Sequence, residues 1–246
     1  MRKEPSKGKI KIVQYGLGPI GIECAKVVLQ RENLRLVGGI DVAEDKVGKD
    51  LGDLLGTGKT LGIIVSTDAV TTLRKTKPHV VLHTTQSFVP KVYDQLRACI
   101  AAGANVISST EELFWPTYRS PDLSGKIDRL AKKYGVTVLG TGVNPGFVMD
   151  TLVACVTGVC THVKKIRATR VVDASKRRLP LQKKVGAGLT PEGFRKLVDE
   201  GKLGHIGLVE SCVAVAETLG WKFDQLQETI DPMIAEEVVQ TPFFKV

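Results

Sequence analysis

Apolar and polar positions along the first 150 residues fall into short runs that alternate between two periods. Val/Ile-rich runs over residues 9–15 (KIKIVQY), 35–40, 63–66, 79–84, 105–108 and 136–139 read as strands. Between them, residues 19–31, 69–75, 90–102 and 123–134 place apolar side chains at helical spacing. Strand–helix alternation predicts a parallel sheet with helices on both faces, and short apolar strands suit burial on both sides.

The pattern changes after Gly142. Residues 147–156 read as a helix and residues 162–172 as one long strand, with Ile166, Ala168, Arg170 and Val172 on one face. A basic, glycine-containing stretch follows over residues 175–189. Thr190 then caps a helix whose first position is Pro191. Residues 207–219 form a further helix ended by Gly220, and residues 241–246 read as the start of a strand. Two domains are therefore expected, residues 1–146 and residues 147–246. A sheet needs about three strands to be stable. The second domain is accordingly read as an α+β unit that further residues complete.

Gly16-Leu17-Gly18-Pro19-Ile20-Gly21 is a G-x-G-x-x-G that follows the first strand and opens the first helix, with Asp41 at the end of the second strand. That context marks a Rossmann-type, doubly wound dinucleotide-binding domain. Gly16 permits the tight turn, Gly18 lets the backbone approach a pyrophosphate, and Gly21 lets helix and strand pack closely. Pro19 and Ile20 open the helix whose N-terminus faces the phosphates. Asp41 accepts from the adenosine ribose hydroxyls, which favours NAD over NADP. Lys46 and Lys49 are close enough in sequence to tolerate a 2′-phosphate.

Ligands of such a sheet gather at the carboxyl ends of its strands. Four ends carry polar or permissive residues: the glycine turn, His83–Ser87, Ser108–Glu112 and Gly140–Gly146. Glu111 and Glu112 follow the fifth strand, one expected to point in and the other out. Trp115, beside Leu113, Phe114 and Pro116, walls a pocket in which a carboxylate can act as general acid or base. The plain alternative is a pair of first-turn helix glutamates favoured by the dipole. His205 either contacts substrate or caps a helix. The four histidines lack H-x-x-x-H spacing and no C-x-x-C occurs, so no metal is expected.

Composition adds little to this. The 246 residues are 43% apolar and 25% charged, ordinary for a globular protein. No apolar run approaches the roughly 20 residues of a membrane helix. The lysine-rich first eleven residues do not form a secretory signal. Five scattered cysteines, an odd number, suit reduced thiols in a cytoplasmic protein. The net charge of +9 is concentrated in residues 160–190, where nine basic residues face Asp173 alone. Without interleaved aromatics that segment does not indicate nucleic acid; it suits a solvated surface or an anionic ligand.

The stretches YGLGPIG, SSTEELFWP, GTGVNPGFVMD, DASKRRLPLQKKVGAGLT and GHIGLVES resemble those of 2,4-diaminopentanoate dehydrogenases and related amine dehydrogenases of dihydrodipicolinate reductase-like architecture. The resemblance covers essentially the whole chain. It implies interconversion of an amine with a ketone and ammonia, using NAD or NADP. It places Glu111 or Glu112 at the amine nitrogen, with Glu111 favoured. Asn144 and Pro145 then lie at the nicotinamide carboxamide, with Thr84, Thr85 and Ser87 beside the ribose and nicotinamide. Arg177, Gln182 and His205 come from the substrate domain. By analogy the protein is a homodimer acting on a small-molecule amine. Two rivals remain: reduction of another imine or semialdehyde on the same fold, and a non-catalytic nicotinamide-binding protein. A reductase of a cyclic dicarboxylate is expected to carry a histidine pair after the long strand, and residues 174–184 contain none.

Overall fold

The computed structural model describes residues 8–245, and its contacts divide the chain into two compact units that meet at Phe147 and Val148. The first unit holds six parallel strands: β1 (Ile10–Tyr15), β2 (Leu34–Ile40), β3 (Val65–Ser66), β4 (Val80–His83), β5 (Asn105–Ser108) and β6 (Val138–Gly140). Helices α1 (Pro19–Leu29), α2 (Leu51–Leu54), α3 (Ala69–Thr76), α4 (Val89–Ala101), α5 (Pro116–Arg119) and α6 (Pro121–Tyr134) connect them, and a 3-10 helix spans Glu111–Phe114.

The strands lie in the order β3-β2-β1-β4-β5-β6. The order reverses between β1 and β4, and the carboxyl ends of these two strands therefore border the crevice where such sheets bind ligands. Side chains alternate along each strand, so neighbouring residues serve opposite faces. Ile12 packs with Leu17, Ala25, Val28 and Leu36 on one face, while Val13 packs with Leu73, Val81, Val92 and Leu96 on the other. Both faces of the central strands are covered by apolar side chains, as the apolar strand pattern predicts, while Ile107 on β5 and Leu139 on β6 stay exposed.

The third strand is shorter than its expected span of 63–66, since only Val65 and Ser66 pair with β2. The residues before it are held by Asp50 instead. Asp50 Oδ1 accepts from the N–H groups of Gly52 and Leu61, and Oδ2 accepts from Ile63 N–H at 3.0 Å. The carboxylate supplements a single antiparallel bridge between Asp50 and Ile64, in which Leu51 N–H donates to the Ile63 carbonyl and Val65 N–H to the Lys49 carbonyl.

The second unit contains α7 (Thr151–Thr157), a 3-10 helix (Ala174–Lys176), α8 (Leu179–Lys184), α9 (Pro191–Asp199) and α10 (Leu208–Thr218). Phe194, Leu203, Val209, Val213, Ala214 and Val215 are its buried apolar residues. Thr190 Oγ1 caps α9 by accepting from Gly193 N–H, as expected. Asp150 caps α7, which begins later than expected, and also accepts from Ser211 Oγ on α10 at 2.7 Å.

Three expectations for this unit are corrected. Residues 162–172 form no strand, because no ladder partner stands beside them among the described residues and an isolated strand satisfies no backbone bonds. Residues 175–189 hold the short helix α8 rather than an open loop. Thr241 closes a turn by accepting from the N–H groups of Phe243 and Phe244, so the expected strand start is a bend; Val246 lies outside the described residues.

Candidate active site at the carboxyl ends of the strands

The glycine turn has the geometry a dinucleotide requires. Gly16 sits at φ +90°, and a β-carbon there would lie 2.5 Å from the Thr84 carbonyl oxygen. One on Gly21 would lie 1.9 Å from the Gly16 carbonyl oxygen, so helix and strand are in backbone contact. One on Gly18 would meet nothing within 4 Å. That open side leaves room for a pyrophosphate, and no side chain caps the N-terminus of α1 to compete for its N–H groups. Pro19 and Ile20 are exposed at this helix start.

Asp41 stands at the exit of β2. Its Oδ2 accepts from Leu17 N–H at 2.6 Å, its Oδ1 accepts from Ala43 N–H at 2.9 Å, and Lys46 Nζ lies 3.6 Å away. Partial burial works to raise its pKa, but the two backbone donors and Lys46 outweigh this and hold it below the ordinary value of 3.8. It is therefore ionised and tied to the glycine turn through Leu17. These residues fit a nicotinamide dinucleotide: a flexed glycine turn, an open phosphate side, and an acidic acceptor at the ribose position.

At the exit of β4 two side-chain hydroxyls are already engaged. Thr84 Oγ1 donates to the Gly16 carbonyl at 2.9 Å and accepts from Gln14 Nε2 at 2.9 Å. Thr85 Oγ1 lies 2.6 Å from Gln95 Oε1 and 3.0 Å from His83 Nε2. Both hydroxyls are thus engaged in bracing the sheet edge. Ser87 offers its carbonyl to Glu112 N–H at 3.1 Å. Gln14, Gln95, Ser108 and Thr110 complete this polar layer; Ser108 and Thr110 belong to a strand end marked from sequence, but Gln14 and Gln95 were not singled out. The available signal was Gln14, a polar side chain at an inward position of a doubly buried strand.

The two glutamates at the β5 exit have separate surroundings. Glu112 is 8% exposed, and its Oε2 accepts from Val89 N–H, at the start of α4, at 2.8 Å. It caps a helix whose own cap residue, Phe88, cannot. Glu111 is half-buried at the start of the 3-10 helix. Glu112 also lines a cavity of about 580 Å³ with Phe88, Pro90, Lys91, Arg119 and Ser120. Trp115 is half-buried next to Phe114, and its buried indole Nε1 has no hydrogen-bond partner. After β6, Asn144 and the buried Pro145 are joined by a cis peptide bond.

Arg177, Gln182 and His205 belong to the second unit. Gln182 is fully buried, and its Nε2 donates to the carbonyls of Ser175 and Arg177 at 2.9 and 2.7 Å. Its amide nitrogen therefore organises the basic turn, while its buried Oε1 has no hydrogen-bond partner. Arg177, at the end of the 3-10 helix, and His205, before α10, are half-buried. Among the described residues no group of three His, Cys, Asp or Glu is placed to hold a metal, and no helix is long and apolar enough to cross a membrane.

Residues 10–139 match the family model of the dihydrodipicolinate reductase N-terminus, and residues 147–246 match the 2,4-diaminopentanoate dehydrogenase C-terminal domain. The chain is 35% identical over 241 residues to a 2,4-diaminopentanoate dehydrogenase of Acetoanaerobium sticklandii, covering 96% of this chain and 67% of that protein. It is 23% identical over 240 residues to an amine dehydrogenase of Streptomyces virginiae, covering 94% and 65%. The solved amine dehydrogenase of Mycobacterium smegmatis superposes with a TM-score of 0.78 at 28% identity, over 96% of this chain and 69% of that one. The chain thus spans about two thirds of the length of these relatives. With a parallel Rossmann sheet, a fitted dinucleotide turn and this whole-chain similarity, the protein belongs to the 2,4-diaminopentanoate dehydrogenase family of amine dehydrogenases.

Proposed function

We propose that the protein catalyses NAD(P)-dependent oxidative deamination of a small amine of the 2,4-diaminopentanoate type, and the reverse reductive amination. The observation that carries the reading is the division of labour between adjacent carboxylates: Glu112 is buried and capping α4, while Glu111 is half-buried at the sheet edge that holds the dinucleotide turn. The A. sticklandii relative supports the choice of substrate.

The nicotinamide, when bound, takes up the hydride from the carbon bearing the amine. The remaining steps fall to the chain. Glu111 removes a proton from the substrate ammonium so that the nitrogen lone pair can assist hydride departure. It passes that proton to solvent, and its restored negative charge stabilises the resulting iminium. It then takes a proton from the water that attacks the iminium carbon, and returns one to the nitrogen as ammonia leaves. From the substrate ammonium, the oxidised cofactor and one water come one ketone, one ammonium, one reduced cofactor and one proton. Gly16, Gly18, Gly21 and the first turn of α1 hold the pyrophosphate, and Asp41 the adenosine ribose, with NAD favoured over NADP. Thr84, Thr85 and Ser87 line the ribose and nicotinamide side, with the Thr84 and Thr85 hydroxyls held by the sheet edge. Asn144 and Pro145 form the side near the carboxamide, and Trp115 forms a wall. Arg177 and His205 are assigned to the substrate carboxylate. The domain boundary between residues 146 and 147, a cytoplasmic location and a homodimeric state belong to the same reading.

Replacing Glu111 with glutamine is expected to abolish turnover while NADH binding persists. If Glu111→Gln and Glu112→Gln proteins both remain active, the mechanism is wrong.

A further inference from the structure

The protons around Ser108 can be counted. Ser108 Oγ lies 3.0 Å from Thr110 Oγ1, 3.1 Å from Thr110 N and 2.9 Å from His83 Nδ1. A hydroxyl offers one proton and two lone pairs. Thr110 donates its own hydroxyl proton to the Gln86 carbonyl at 2.8 Å, so towards Ser108 its oxygen can only accept. Ser108 therefore commits its proton to Thr110. The Thr110 N–H fills one of the two lone pairs left on Ser108. The other faces His83 Nδ1, which must carry a hydrogen.

His83 is fully buried, and burial pushes its pKa below 6.5, so the imidazole is neutral at pH 7. A neutral ring protonated on Nδ1 has an acceptor at Nε2. The Gln95 amide oxygen position stands 2.7 Å from Nε2. Since amide oxygen and nitrogen are assigned from such networks, the proton count places the Gln95 NH2 group there, and the Thr85 hydroxyl then accepts from that group at 2.6 Å and turns its own proton towards Nε2 at 3.0 Å.

This chain of bonds ends at the candidate catalytic turn. Thr110 ties the β5 exit to Gln86, Glu112 N–H ties it to Ser87, and Glu112 Oε2 ties it to Val89. Glu111 is carried between those anchors. We propose that His83 is the positioning residue of this turn: as the Nδ1–H tautomer it orients Ser108 and Thr110, and so fixes where Glu111 stands. The inference rests on the assignment of Glu111 as the proton carrier.

Two substitutions separate this role from packing. Asparagine places its amide nitrogen near the Nδ1 position, and glutamine places it near the Nε2 position. Both remove the ring and its edge contact with Tyr15, whose centroid lies 5.4 Å away. In the full chain, His83→Asn is expected to keep slow hydrogen exchange at the Thr110 and Glu112 amides and to keep kcat. His83→Gln is expected to speed exchange at both and to lower kcat roughly 10- to 100-fold with NADH affinity unchanged. Ser108→Ala keeps the ring and removes the hub; the same losses are expected there, which covers a His83→Gln protein that does not fold. Nitrogen-15 NMR of the unsubstituted protein is expected to show His83 protonated on Nδ1. An Nε2–H tautomer, or equal amide exchange in the asparagine and glutamine variants, would overturn the inference. Expected exchange behaviour with full turnover in Glu111→Gln would support the ordering of the turn and sink only the Glu111 assignment.

Discussion

Glu112 accepts a hydrogen bond from the backbone N–H of Val89, 23 positions earlier in the chain, and so one of two adjacent glutamates is a structural cap for α4. Charge-assisted caps of this kind are worth about 1–3 kcal/mol when buried. Glu112→Ala is therefore expected to lower unfolding free energy by about that amount, read in urea titrations. Glu111→Gln is expected to leave stability unchanged and to reduce kcat at least about 100-fold. A stability loss confined to the Glu111 variant would reverse the two roles.

The glycine turn makes a second contrast. A β-carbon on Gly21 cannot fit against the Gly16 carbonyl, so Gly21→Ala is expected to destabilise the first unit by about 3 kcal/mol. The Gly18 position is open, so Gly18→Ala is expected to unfold at the same temperature as the unsubstituted protein. It should nevertheless weaken NADH binding about tenfold, a difference of about 1.4 kcal/mol, by obstructing the pyrophosphate. Thermal melts with and without NADH distinguish the cases. Unaltered NADH affinity in Gly18→Ala would place the phosphates elsewhere.

Acid is expected to unfold the first unit in two stages. His83 has a lowered pKa because it is buried, so the folded state binds fewer protons than the unfolded state below about pH 6.5. Its contribution to stability is present above that pH and is lost as pH falls towards its folded value. Asp50 is held below 3.8 by N–H groups of Leu61, Gly52 and Ile63, and Asp41 is also lowered. Their contributions are present above about pH 3.9 and are lost as pH falls through their folded values. Unfolding free energy between pH 7 and 3 should show both declines, and the first should vanish in His83→Asn.

Thiol reactivity should sort by burial. Cys155 and Cys160 are exposed, whereas Cys99 is buried between strands and helices with its pKa pushed up to about 12. Only the thiolate attacks a disulfide reagent. Ellman titration of the native protein is expected to spare Cys99 until denaturant is added. Rapid modification of Cys99 would contradict the packing of α4 on the sheet.

Much of the first unit was legible because doubly buried parallel strands and connecting helices write different periods into the sequence. The glycine turn and Asp41 were legible for the same reason, since their spacing encodes a strand–turn–helix. The layer of Gln14, His83, Gln95, Ser108 and Thr110 was not, because its members are scattered over four elements and the turn after β5, and no local spacing links them. Thr84 and Thr85 stand at the predicted edge, but their hydroxyls turn towards that layer, a direction that period-two alternation does not reveal. The long strand over residues 162–172 failed differently. Alternation marks which side chains share a face, but a strand also needs a partner, and none stands beside it among the described residues.

The most direct measurement is NADH formation at alkaline pH from a panel of amines that includes 2,4-diaminopentanoate, with NADP run in parallel and Glu111→Gln as control. The account predicts cofactor reduction with the diamine, faster with NAD, and none with the Glu111 variant. NADH binding without reduction by any amine would contradict it.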